Sequence, residues 1–199
     1  MLLEKAIEVF KPSRFVQVGA YDGTWNDPIH EYIINLKWNG LLVEPNPKQY
    51  NKLVNAYKGC DGLIFENVAI SSSLDVVRLF VINSDQSRTT MMKKNRNVWR
   101  NRHKKNGITT IHVPAVSLEK LIAKHNLCEF DLLCIDVEGA ELEVLTSLNL
   151  EKYHPKIIYY ENKHVKMLGL YKQLYRLLAR SGYKIYKKGV NDLAVRHRV

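Results

Sequence analysis

The chain has 199 residues, 46% of them hydrophobic, enough for one substantial core but few for two, so a single domain over residues 1–199 is expected. No window approaches the roughly 18 to 20 continuous apolar residues of a membrane-spanning helix. Three cysteines, Cys60, Cys128 and Cys134, lack metal-ligand spacing, which argues against a disulfide framework or a zinc site and suits a reducing cytoplasmic setting.

The net charge of +10 is concentrated in two places. Residues 93–105 hold seven Lys or Arg and no acid, residues 162–199 hold ten against Asp192 alone, and the rest of the chain carries 13 bases and 19 acids. Such patches either solvate the surface or raise the local concentration of an anionic ligand.

In chain order, MLLEKAIEVF places Glu4 and Glu8 inside an apolar run and reads as a short amphipathic helix rather than a signal peptide. An apolar strand, Phe15 to Val18, then runs into Gly19-Ala20-Tyr21-Asp22-Gly23. A helix near Pro28 to Leu36, a strand Gly40 to Val43 ending in Glu44-Pro45, a helix Pro47 to Tyr57 and a strand Leu63 to Val68 follow. Between Leu74 and Pro114 the rhythm changes: Val76, Arg78, Phe80 and Ile82 alternate, a basic loop intervenes, and ITTIHV resumes the strand pattern. This predicts an inserted hairpin or flap. Its tip, Lys93 to Gly107, has only Val98 and Trp99 as apolar anchors and is expected to be mobile, either as a lid or as plain disorder.

A helix Leu118 to His125 leads to the strand Leu132 to Ile135, which ends in Asp136-Val-Glu138-Gly139. Helix Ala140 to Leu148, strand Lys156 to Tyr160 and helix Leu168 to Arg180 precede a closing hairpin of Tyr183 to Tyr186 and Leu193 to Val195 around Gly189. Alternating strands and amphipathic helices predict an α/β fold with a Rossmann-like, mostly parallel sheet of seven strands and an antiparallel C-terminal hairpin. In such sheets ligands bind at the carboxyl ends of the strands, where a glycine turn admits a ligand and an acid after the second strand accepts hydrogen bonds from ribose hydroxyls. The layout is that of a nucleoside-containing cofactor site.

GAYDG with the following NDPI, then LLVEPNP, NVAIS and FDLLCIDVEGAELEVL, resemble the FkbM family of S-adenosylmethionine-dependent methyltransferases from about Phe15 to Glu161. The IDVEGAE run is the most specific part. The resemblance implies a class I methyltransferase fold and, usually, O-methylation of a sugar or other hydroxyl-bearing metabolite. Two positions depart from the family pattern: Cys134 stands where a lysine is common, and Tyr21 where an asparagine is common.

On this reading Gly19, Ala20, Tyr21, Asp22 and Gly23 wrap the methionine end of S-adenosylmethionine, Glu44 with Pro45 binds the ribose, and Asn67, Val68 and Ala69 lie by the adenine. Asp136 faces the methionine portion or the reacting centre. Glu161, Asn162 and His164 follow the fifth strand and share the crevice with Asp136 and Glu138, which makes His164 a general-base candidate, although a lone histidine there is also compatible with a structural role. Asp136, Glu161 and Asn162 further resemble, by position, the divalent-metal site of catechol-type O-methyltransferases, and oxygen ligands of this kind suit Mg2+.

The acceptor expected is a small molecule or glycan, anionic if the basic patches contact it. Nucleic acid is a less favoured partner, suggested by the basic loop and tail with Trp99, Tyr171, Tyr175, Tyr183 and Tyr186 interleaved. A non-catalytic protein that keeps the cofactor fold and a nicotinamide-dependent oxidoreductase are further alternatives. The C-terminal hairpin and the IDVEGAE strand argue against the latter.

Overall fold

The computed structural model describes residues 2–82, 85–90 and 107–197, the stretch 85–90 by its backbone only. Its elements in order are α1 (Leu2–Phe10), β1 (Arg14–Val18), α2 (His30–Leu36), β2 (Asn39–Val43), α3 (Pro47–Ala56), β3 (Leu63–Glu66), β4 (Ala69–Ile70), β5 (Val76–Ile82), β6 (Asp85–Thr90), β7 (Ile108–Val116), α4 (Leu118–Lys124), β8 (Leu132–Ile135), α5 (Glu141–Thr146), α6 (Leu150–Tyr153), β9 (Ile157–Glu161), α7 (Lys163–Met167), α8 (Tyr171–Arg180), β10 (Tyr183–Lys188) and β11 (Asn191–Arg196). The flap tip with Trp99, and the basic run 93–105, lie outside the described residues.

The main sheet has seven strands in the order β10-β11-β9-β8-β1-β2-β3. β3, β2, β1, β8 and β9 run parallel, and β11 and β10 pair antiparallel. Strands covered on both faces read as continuous apolar runs, and all four residues of β8 are buried. Alternate side chains enter two different cores. Val16, Leu133, Ile135, Ile158 and Tyr160 meet α4, α5 and α8 on one face, while Phe15, Leu132, Cys134 and Ile157 meet α1, α2 and α3 on the other. α1 contributes Leu3, Ala6 and Ile7, spaced to form one helical stripe.

Two elements differ from the sequence expectation, each for a local reason. The strand expected over Leu63 to Val68 stops at Glu66, because the Asn67 side chain donates to the Glu44 carbonyl at 2.7 Å and the chain leaves the main sheet. It resumes as β4 in a second, four-stranded sheet of order β4-β7-β5-β6, the expected inserted flap, in which β5 pairs antiparallel with β6 and β7. Ala69, Val77, Leu79 and Val113 give this sheet a small core of its own. The helix expected from Leu168 begins earlier, as α7, and Gly169 (φ +77°) separates it from α8.

β1 and β2 approach so closely that a Cβ on Gly40 would lie 2.3 Å from the Phe15 carbonyl oxygen and 2.7 Å from the Phe15 ring. Gly40→Ala is therefore expected to destabilise the fold by about 1 to 3 kcal/mol through overpacking. A lowered urea midpoint at unchanged slope checks this.

Candidate active site

A cavity of about 450 Å³ opens at the carboxyl ends of β1, β2, β8 and β9. Its floor depends on one glycine. Gly19 has φ +84°, and a Cβ there would fall 1.9 Å from the Asp136 carbonyl oxygen. The turn after β1 can therefore press against β8 while the Gly19 and Ala20 amides donate to the Val43 carbonyl at the end of β2, at 2.9 and 3.1 Å.

Glu44 is 5% exposed and lines the cavity. Its carboxylate accepts from the Tyr21 amide at 2.9 Å and the Asn46 amide at 2.8 Å, one oxygen each. Each oxygen thus keeps a further hydrogen-bonding position for a ligand hydroxyl, as an acceptor when the group is ionised or with one O–H donor when it is protonated. Burial outweighs the two amides and raises its pKa to about 8, with Asp136 and Asp22 adding repulsion. Ala20, Tyr21, Pro45, Val68 and Ala69 also line the cavity.

Asp22, Gly23 and Asn67 do not line it. The Asp22 carboxylate accepts from the Thr24 and Trp25 amides and the Thr24 hydroxyl, which hold its pKa below the ordinary value against the opposing effect of burial. The Gly23 carbonyl accepts from the Tyr57 hydroxyl at 2.9 Å, and a side chain at Gly23 would strike Leu53 and Tyr57. Both residues shape the turn from behind.

Opposite Glu44 stands a cluster of acids. Water reaches Asp136 through the cleft, so its side chain is exposed by area, yet protein closes around it otherwise. Burial, with Glu161 and Glu138 beside it, raises its pKa to about 7. The His164 Nδ1 lies 2.8 Å from both the Glu138 and the Glu161 carboxylates. Burial opposes charge on this ring, but the two carboxylates prevail and lift its pKa to about 10. An imidazolium at neutral pH has no vacancy for a proton, so the general-base role expected of His164 does not suit its surroundings.

Glu141 is fully buried. One of its oxygens accepts from the Val137 and Gly139 amides, the other has no hydrogen-bond partner, and burial raises its pKa to about 8. Carboxylate oxygens of Asp136, Glu141 and Glu161 lie within 4.8 Å of one another. Asn162 does not join them: its amide donates to Asp192 at 2.7 Å and to the Gly189 carbonyl at 3.3 Å, fastening the C-terminal hairpin. The expected set Asp136, Glu161 and Asn162 is thus not assembled, and Glu141 occupies the third place.

Several lining residues went unassigned in the sequence: Gln17, Asp27, Tyr159, Lys163 and Asn191. Gln17 Nε2 donates to Asp27 at 3.2 Å, its Oε1 is buried without a partner, and burial raises the Asp27 pKa. Asn191 donates to the Tyr159 hydroxyl at 2.8 Å. Gln17 was the one signal available, a lone polar residue inside an apolar strand. Cys134 lines the same pouch as a buried thiol whose pKa burial pushes well up.

Sheet order and strand-end cleft together define a class I methyltransferase fold. The family model of the methyltransferase FkbM domain matches residues 17–185, and the chain belongs to this family of S-adenosylmethionine-dependent methyltransferases. No curated protein matches it.

Among solved structures, the FkbM methyltransferase of Methylobacillus flagellatus KT aligns with a TM-score of 0.58 at 13% identity, over 92% of this chain and 43% of its own, so this chain spans less than half of that protein. Aeropyrum pernix fibrillarin, a complex with natively bound S-adenosyl-L-methionine, aligns at 0.52 and 12% identity over 97% of this chain and 74% of its own. Precorrin-6y C5,15-methyltransferase from Geobacter metallireducens GS-15 gives 0.51 and 11% over 97% and 86%. At such identities these likenesses speak for the fold. No described helix is long and apolar enough to cross a membrane.

Because folding raises the His164 pKa, its contribution to stability is complete below about 6.5 and is lost as pH rises through about 10. The expected result is an imidazolium NMR shift for His164 that persists from pH 6 to pH 9 in the ligand-free protein. A midpoint near 6.5 would contradict it.

Proposed function

We propose that the chain transfers a methyl group from S-adenosylmethionine to a hydroxyl of a sugar, glycan or related metabolite. The observation that carries the reading is Asp136, a carboxylate standing in the cleft with a pKa raised to about 7. A proton acceptor works best when its pKa lies near the operating pH.

When bound, the cofactor supplies an electrophilic methyl on a sulfonium, so that the acceptor oxygen gains the methyl and the C–S electron pair stays on sulfur. The protein's part is to position and to move one proton. Glu44 would hold the ribose through the hydrogen-bonding positions left on its carboxyl group, Val68 and Ala69 would flank the adenine, and the Gly19–Tyr21 turn would follow the methionine portion. The pouch of Gln17, Asp27, Tyr159 and Asn191 receives the amino-acid end, where the Gln17 oxygen and Asp27 accept from the ammonium group. Asp136 takes the acceptor's proton. His164 holds Glu138 and Glu161 together through one shared cation, so it positions the acids rather than reacting.

One observation favours a second element, a divalent cation such as Mg2+. Carboxylate oxygens of Asp136, Glu141 and Glu161 lie within 4.8 Å of one another, a group that suits such an ion. Turnover unchanged after exhaustive chelation would remove the cation from this reading.

Calorimetry should find S-adenosylmethionine and S-adenosylhomocysteine binding, both weakened about tenfold by Glu44→Gln, as loss of one to two buried hydrogen bonds implies, and no binding of NAD. With a hydroxyl acceptor, kcat/KM should rise with pH around 7 as Asp136 ionises. Asp136→Asn should remove that limb and cost about 100-fold or more. Cofactor binding without turnover on any saccharide, lipid or RNA acceptor would instead leave a non-catalytic binding protein.

A further inference from the structure

Residues 162–197 contain nine Lys or Arg and a single acid, Asp192. That acid is fully buried and is consumed by the protein itself: it accepts from the Tyr171 hydroxyl at 2.8 Å, the Tyr160 hydroxyl at 3.3 Å and the Asn162 amide at 2.7 Å. The exposed charge of α7, α8 and the β10–β11 hairpin is therefore entirely positive. Lys163, Lys166, Lys172, Arg176, Arg180, Lys184, Lys187 and Lys188 are all exposed, and among the described residues none forms an ion pair.

The cations are arranged, not scattered. Lys172, Arg176 and Arg180 recur every four residues and so form one ridge of α8. Lys187, from β10, lies 5.2 Å from the ring centres of both Tyr171 and Tyr175 and so joins the hairpin to that helix. Lys166 lies 5.1 Å from the centre of the same Tyr171 ring. One turn of α7 before Lys166, Lys163 lines the cleft itself. A continuous cationic face thus begins at the wall of the cavity on the Glu161 side and runs outward over α7, the hairpin and α8.

We infer that the acceptor is a saccharide bearing phosphate, sulfate or carboxylate groups beyond the sugar that is methylated, and that this face holds those anions while the target hydroxyl enters the cleft. The inference rests on the methyltransferase reading above and narrows its acceptor. Fixed ammonium and guanidinium groups with no carboxylate partner attract an anion at long range and keep it by salt-sensitive contacts. The aromatics fit a saccharide better than a nucleic acid. Single-strand binders stack successive bases on open aromatic faces, whereas here lysine ammonium groups stand over Tyr171, Tyr175 and Tyr186. The face also lacks the continuous apolar side that would sink it into a membrane, since of its exposed large apolar residues, Met167, Tyr175, Tyr186 and Val190, the first three each adjoin a Lys or Arg in sequence.

Fluorescence anisotropy on the full chain tests this with labelled hexasaccharides of one backbone in neutral, carboxylated, phosphorylated and sulfated forms, and with a uridine 12-mer, each at 50 and 500 mM NaCl. At least one anionic form should bind tenfold or more tighter than the neutral one, with the margin abolished at the higher salt. Arg176→Glu with Lys187→Glu should erase the margin and Arg176→Gln with Lys187→Gln should reduce it, while S-adenosylhomocysteine binding stays at the wild-type value in both. Equal binding of neutral and anionic forms, a margin that survives both double variants, or a uridine 12-mer bound more tightly than every saccharide would each overturn the inference. Failure of the wild-type protein to bind S-adenosylhomocysteine would overturn the methyltransferase reading instead, and the saccharide series would still be read on its own.

Discussion

The absence of a side chain at Gly19 is the constraint on which the cleft depends. With 1.9 Å between a hypothetical Cβ and the Asp136 carbonyl oxygen, no other residue leaves β1 along this path. The chain crosses from β1 toward β2 on two amide bonds to Val43, and the Asp136 amide is bound by the Val18 carbonyl at 3.0 Å. Three strand ends are thereby tied within one turn, and Glu44 and Asp136 are delivered to opposite sides of the same space. Tyr21, whose amide then meets Glu44, accepts a φ of +52°, a strain offset by the hydrogen bond that its amide donates to the buried Glu44 carboxyl.

Burial and mutual repulsion act together on the acids of this space. Glu44, Asp136 and Glu141 all have their pKa values lifted toward neutrality, whereas Glu138 and Glu161 share the charge of His164. The cluster is thus divided between carboxyls that can hold a proton at neutral pH and a pair of glutamates that share one imidazolium. A surface acid beside a lysine, such as Glu66 with Lys124 and His125, is held below its ordinary value despite partial burial, the opposite response to a different neighbourhood.

Much of this was legible in the residues, and the failures share a cause. Strands such as Leu132–Ile135 declare themselves because coverage on both faces demands unbroken apolar runs, and Gly19, Glu44 and Asp136 stand where those runs end. A residue type, however, does not say which way its side chain turns. Asn162 turns away from the acids toward Asp192, Asp22 bends back on its own turn, and Asn67 binds a carbonyl and ends a strand early. His164 looked like a base because its intrinsic pKa suits one; two glutamates, one from the turn after β8 and one at the end of β9, reverse that. Gln17 was visible as a polar residue in an apolar strand, but its partner Asp27 is settled only by the path of the intervening turn.

The pairing of β1 has a consequence for how the two sides of the cleft come into being. Phe15 pairs with Gly40 on one side and with Leu132 on the other, so the same strand closes a short loop and a very long one. Loop closure of the second kind carries the greater entropic cost and the slower search. The topology therefore separates the site in folding time: β1, β2 and β3, which carry the Glu44 side, are linked by local connections, whereas the acid cluster waits for β8, β9 and the hairpin strand that Asn162 fastens beside them.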